Sequence, residues 1–240
     1  MSPLSRRNFL LSSMAALVAA CAEDNPALRP AVTNLILGGG QYKLTVDGDT
    51  KFVLSIVDIT NKDRHLSTMG FLPHGIHRNP TDFNRLAIFE KKGPNACEYD
   101  LGTRQIVRAI PQVDNQYFYG HGAYSLDGKT LFSTETELDG FNGLIGVRSS
   151  SDLAYIGEFP SYGKEPHECK LIDGGKTLVV TNGGGDTQGD APSVAYIDIN
   201  SQQLIEKVQL TRAELNTGHL AIWLLFRRHE WGLVQIAWVA

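Results

Sequence analysis

The chain has 240 residues, 42% of them hydrophobic, with 24 glycines and a formal net charge of −4. That length supports a sizeable core, and the glycine content fits a fold rich in tight turns. Acidic residues number 26 against 22 basic ones, so the chain lacks the basic excess that marks a nucleic-acid binder, and no apolar run reaches the roughly 18–20 residues that span a bilayer.

The N-terminus reads as an export signal. Ser5-Arg6-Arg7-Asn8-Phe9-Leu10 carries a twin-arginine pattern, followed by an apolar run from Phe9 to Ala20. Residues 1–22 are expected to be the signal, and 23–33 a polar, proline-bearing linker. Val18-Ala19-Ala20-Cys21 resembles a lipobox that would leave Cys21 lipidated; Ala20-Cys21-Ala22 equally satisfies the small-residue rule of an ordinary signal peptidase. The expected location is the periplasm, soluble or lipid-anchored, with no transmembrane span.

From Asn34 the chain reads as short strands. Leu35–Gly40 runs into a glycine turn, but Gln41–Val46 continues as an alternating strand, which argues against a nucleotide-binding loop. A histidine segment then recurs. Gly120-His121-Gly122-Ala123-Tyr124-Ser125-Leu126-Asp127-Gly128 returns as Pro166-His167-Glu168-Cys169 followed by Asp173-Gly174, with looser copies at Pro73-His74-Gly75-Ile76 and Gly218-His219-Leu220-Ala221. The histidines are 47, 46 and 52 residues apart. A second element repeats in phase: Asp58-Ile59-Thr60-Asn61, Tyr99-Asp100-Leu101-Gly102-Thr103 and Ile197-Asp198-Ile199-Asn200-Ser201, with Val147-Arg148-Ser149 where the third aspartate would be. Two elements in one phase predict an all-β propeller of four-stranded blades over residues 34–222. The units are the end of one blade at 34–70, three full blades at 71–116, 117–162 and 163–212, and the opening of another. That is about four blades, fewer than expected for a closed ring, and after Ile222 the pattern is lost. The tail 223–240 reads as the end of a truncated or frame-shifted chain, or alternatively as an amphipathic closing helix.

Each histidine is expected where an inner strand begins, beside the central channel. The second strand of each blade returns to the same end, finishing at Glu90, Glu135 and Asn182. This collects His74, His121, His167 and His219 with Glu90 and Glu135, and Glu137 nearby, into a candidate metal site; imidazole and carboxylate suit iron, zinc, copper or manganese. The competing reading makes the histidines structural, each hydrogen-bonding within its blade. His65 and His77 fall outside the repeat and are expected at the surface. Asn182–Asp190 is a glycine-acidic loop at the same end, read as a surface loop. Cys97 and Cys169 are expected as buried small hydrophobes rather than a disulfide. No P-loop, nucleophile elbow, CxxC or glycosidase pair is present, and no catalytic residue is assignable.

The twin-arginine signal, Pro73-His74-Gly75, the segment from Gly120 to Glu135 (Gly-His-Gly-x-Tyr-Ser-x-Asp-Gly-x-x-Leu-x-x-Thr-Glu) and Leu215-Asn216-Thr217-x-His219-Leu220-Ala221 resemble the bacterial domain-of-unknown-function family 1513. The resemblance covers roughly residues 34–222. It implies an exported propeller of about seven blades, related to YVTN/WD40-type folds, and a periplasmic iron-related role beside iron-uptake proteins. The reading that follows is a metal-binding or iron-uptake accessory protein. The alternatives are a non-catalytic scaffold that binds a partner protein, and a metal-dependent oxidoreductase or hydrolase.

Overall fold

The computed structural model describes residues 34–184, 190–212, 215–227 and 230–237. The export signal, Cys21, the linker and residues 185–189 of the glycine-acidic loop lie outside them. No helix among the described residues is long and apolar enough to cross a membrane.

The strands fall in the predicted order. β1 (Leu35–Tyr42), β2 (Lys51–Asp58) and β3 (Arg64–Met69) form a three-stranded sheet. Three four-stranded antiparallel blades follow. They are β4 (Pro73–Arg78), β5 (Arg85–Glu90), β6 (Ala96–Asp100) and β7 (Gln105–Ala109); then β8 (Gln116–Tyr124), β9 (Thr130–Glu137), β10 (Asn142–Ser149) and β11 (Tyr155–Lys164); then β12 (Pro166–Ile172), β13 (Thr177–Asn182), β14 (Ser193–Asp198) and β15 (Leu204–Gln209). β16 (Leu220–Arg227) pairs antiparallel with β17 (Glu230–Ala237). The residues after Ile222 therefore continue as strand where described, and the closing-helix alternative is corrected: antiparallel pairing of β16 with β17 takes up the apolar run.

The second strand of each blade is buried on both faces, and in β5 and β13 it reads as an apolar run. In β5, Leu86 and Ile88 face the β1–β3 sheet with Leu54, Ile56, Met69, Cys97 and Tyr99, whereas Ala87 and Phe89 pack toward the next blade with Phe118, Tyr124 and Leu131. β13 divides the same way, Leu178 and Val180 joining Phe132, Ile145, Phe159 and Cys169, and Val179 joining Leu220. The core thus lies between blades, each buried aliphatic side chain contributing roughly 1.5–3 kcal/mol. Cys97 and Cys169 are free, buried and in separate clusters. Burial pushes the Cys97 thiol up to about 12 and also raises that of Cys169.

The repeated aspartates close the turn between the third and fourth strands. Asp58 Oδ1 accepts the Thr60 and Asn61 amides, Asp100 Oδ1 that of Thr103, and Asp198 Oδ1 that of Ser201.

Candidate metal centre

The histidines stand on bulges at the same end of successive inner strands. In β4, Pro73 opposes Glu90 and Gly75 opposes Phe89, so His74 is an extra residue without a partner in the ladder. His167 repeats this between Pro166, opposite Asn182, and Glu168, opposite Thr181. In β8 the irregularity is longer, running from Phe118 (opposite Glu135) to Gly122 (opposite Ser133), with His121 inside it and Gly120 at φ +114°. A bulge bends the strand and re-aims the extra side chain. Threonines on the neighbouring strand hold two of these irregular backbones. Thr134 Oγ1 donates to the His121 carbonyl at 3.0 Å and accepts its amide at 3.3 Å, and Thr181 Oγ1 accepts the Glu168 amide at 3.1 Å.

Glycine lets the strands approach. A Cβ on Gly75 would lie 2.1 Å from the Gly120 carbonyl oxygen and 3.0 Å from the His121 Cα; one on Gly120 would lie 2.7 Å from the His74 ring. The first would require a strand to move, and the second would displace the His74 ring from a backbone that already favours glycine at φ +114°. His219 precedes β16 in a segment anchored on the preceding blade. Thr181 Oγ1 donates to the Gly218 carbonyl at 2.7 Å, and the Leu220 amide donates to Glu168 Oε2 at 2.5 Å.

The result is a four-imidazole cluster. His74, His121, His167 and His219 each offer a ring nitrogen, and these atoms lie within 4.8 Å of one another. His121 is buried at the centre, its ring centroid 4.8 Å from His74, 5.3 Å from His167 and 4.9 Å from His219. A tetrahedral ion with bonds of 2.0–2.1 Å needs nitrogens about 3.3 Å apart, so modest ring rotation would close the set. Both His121 nitrogens and the Nε2 atoms of His74 and His167 are buried without a hydrogen-bond partner. Orphaned polar atoms of this kind carry a cost of about 1–3 kcal/mol each, and here four fall in one cluster, where buried polar groups are ordinarily paired.

Electrostatics keeps the lone pairs available. Burial, and after it the neighbouring Lys91 charge, lowers the His74 pKa; burial and then His219 bring His167 down to about 4; burial and the surrounding imidazoles hold His121 well below the ordinary range. Neutral imidazole is the form that binds a metal. A carboxylate stands behind the cluster: Glu168 Oε2 is 3.5 Å from His219 Nδ1, and its Oε1 is 3.0 Å from Lys170 Nζ. That placement suits an outer partner that orients a ligating ring.

The two expected carboxylates are not in the cluster. Glu135 ends on the wrong face of β9: its Oε1 accepts from Arg148 Nη1 at 2.5 Å and from Ser133 Oγ at 2.6 Å, all three side chains buried, while Thr134 faces the histidines. Glu90 Oε2 caps the following turn, accepting from Asn95 Nδ2 at 2.7 Å and from the Asn95 amide at 3.2 Å. Glu137 bonds Asn142, and Asn182 is buried in two hydrogen bonds to Ser161. Two residues were missed. His77, expected at the surface, is half-buried with its ring 5.4 Å from His121, and its Nε2 accepts the Gly122 amide at 3.1 Å. Three residues after His74 it should face the other way, but the bulge adds one position and restores its parity. Glu168 carried a signal: it stands where two sister repeats have Gly75 and Gly122.

The family model for proteins of unknown function DUF1513 matches residues 70–224. The chain belongs to the DUF1513 family. Two solved structures share the fold. Hydrazine synthase of Kuenenia stuttgartiensis aligns with a TM-score of 0.59 at 19% identity, covering 72% of this chain and 48% of that one. The Cps50 (Swd1) β-propeller domain of Myceliophteria thermophila aligns with a TM-score of 0.53 at 11% identity, covering 80% and 55%. At these identities the likeness speaks to the propeller fold alone, and the chain spans about half the length of either structure. No curated protein matches the sequence. The histidine cluster of this DUF1513 chain falls wholly within the matched segment.

Proposed function

We propose that this protein is an exported metal-binding propeller in which His74, His121, His167 and His219 hold one divalent transition-metal ion. One observation carries the reading: four imidazoles converge, each with a ring nitrogen within 4.8 Å of the others, and four nitrogens of His74, His121 and His167 are buried with no protein partner. An all-imidazole set suits zinc, copper, iron or nickel. Iron is the ion favoured by the family resemblance, which together with the twin-arginine segment supports an accessory role beside periplasmic iron-uptake proteins. Binding and delivery need no turnover, and no nucleophile or general base is required for them. Export of an already folded chain suits a site that exists only after folding.

The test is metal content by mass spectrometry on the purified full chain, with His121→Ala and His167→Ala as controls whose folding is checked by circular dichroism. One ion per chain, lost in both folded variants, is the expected result. A chain that takes up no iron, zinc or copper when incubated with each would overturn the reading and leave a partner-binding scaffold with structural histidines.

A further inference from the structure

Beside the cluster is a cavity of about 210 Å³, with His167 in its wall and Lys91, Tyr119, Glu165 and Asn216 around it. Its charges do not balance. Glu165 is committed to Lys92 at 3.0 Å, and Glu168, behind the histidines, to Lys170 at 3.0 Å. Lys91 has no ion-pair partner among the described residues. Its charge is nevertheless felt at the cluster, where it helps to lower the pKa of both His74 and His167. Its backbone is close as well, the Lys91 Cα lying 3.6 Å from where a Cβ on Gly120 would project. Four neutral imidazoles leave a divalent ion's charge uncompensated, so ion and lysine together present strong positive potential to one small, polar cavity.

We propose that this cavity takes a small anion, a carboxylate or oxyanion, which binds the metal from the His167 side and pairs with Lys91. The inference rests on the metal reading above and adds the ligand class to it. The volume is ample for a small acid. Asn216 and Tyr119 complete the polar lining, Tyr119 hydrogen-bonded to Glu165. A metal held by four nitrogens, with a fifth position opening on a lysine, would then be carried as a metal–anion pair.

Azide serves as the probe, on the full chain loaded with Cu(II), because azide bound to copper gives a visible charge-transfer band. Wild type is compared with Lys91→Ala and Lys91→Arg, and copper content is measured in each. The expected result is one copper in all three, a saturable azide band in wild type and in Lys91→Arg, and affinity weaker by roughly tenfold to a hundredfold in Lys91→Ala, the range of a lost charge-assisted hydrogen bond. Full copper with no azide band, or equal azide affinity in wild type and Lys91→Ala, would overturn the anion site and leave the metal reading intact. Failure of wild type to bind copper, and iron and zinc as well, would overturn both.

Discussion

At the scale of single residues, the parity of β9 separates two roles that the sequence places side by side. Thr134 faces the histidines, and Glu135 faces Arg148. Glu135 lies two residues before the end of β9, and strand alternation turns it to the face of Arg148, which holds the register position that Tyr99 and Ile197 hold in the sister blades. An arginine at that apolar position is visible in the sequence, but its pairing thirteen positions away through an antiparallel register is not. Arg148 is fully buried, donates also to the Pro111 carbonyl at 3.0 Å, and stacks over Phe118 and Tyr155. Arg148→Met should therefore cost about 3–5 kcal/mol, because it strands a buried carboxylate. Combining it with Glu135→Leu should recover most of that loss, measured by urea unfolding. Neither change should alter metal stoichiometry. Glu168→Gln should do the reverse, keeping stability within about 1 kcal/mol while weakening metal affinity roughly tenfold or more through the loss of the carboxylate behind His219, read by competition against a chromogenic chelator.

At the scale of elements, strand order, blade limits and the histidine entry points are all legible, since each is written several times in the chain. The bulges are not. A period of about 47 residues fixes where the histidine falls, but the extra residue in the ladder appears only once Pro73 is paired with Glu90 and Pro166 with Asn182. That one residue is why His77 turns inward beside His121, against an expectation built from simple alternation. The glycines flanking the histidines belong to the same device. Gly75→Ala should destabilise by about 1–3 kcal/mol, because its Cβ meets backbone of the neighbouring blade and cannot be relieved by a rotamer change. Gly157→Ala, with nothing within 4 Å of the added carbon, is the matched control and should be nearly neutral. Thermal melts of the two variants without metal separate packing from ligation. If both are neutral, the strands are not held as closely as described.

At the scale of the whole molecule, stability and metal occupancy should share one pH dependence. Burial lowers His77 and His167 to about 4, and lowers His74 and His121 as well. In the unfolded chain a histidine takes its proton near 6.5. Above that value both states are neutral and the full stability is present. As pH falls below about 6.5 the unfolded chain binds protons that the folded one refuses, so stability drops, and for His77 and His167 it continues to drop until they titrate near 4 in the folded state. Asp127, Asp152 and Asp198, held below the ordinary carboxylate range by hydrogen bonds to their turns, act in a separate window, their contribution being lost only as pH falls below about 3.9. Melting of the chelator-treated chain should therefore fall between pH 6.5 and 4 and fall less steeply in His167→Gln. Metal adds stability in proportion to its occupancy, and protons compete with it for the same nitrogens. The difference in melting temperature between loaded and chelated protein should be largest near neutrality and vanish toward pH 4. A difference that stays constant across that range would mean that the ion sits on groups other than these four histidines.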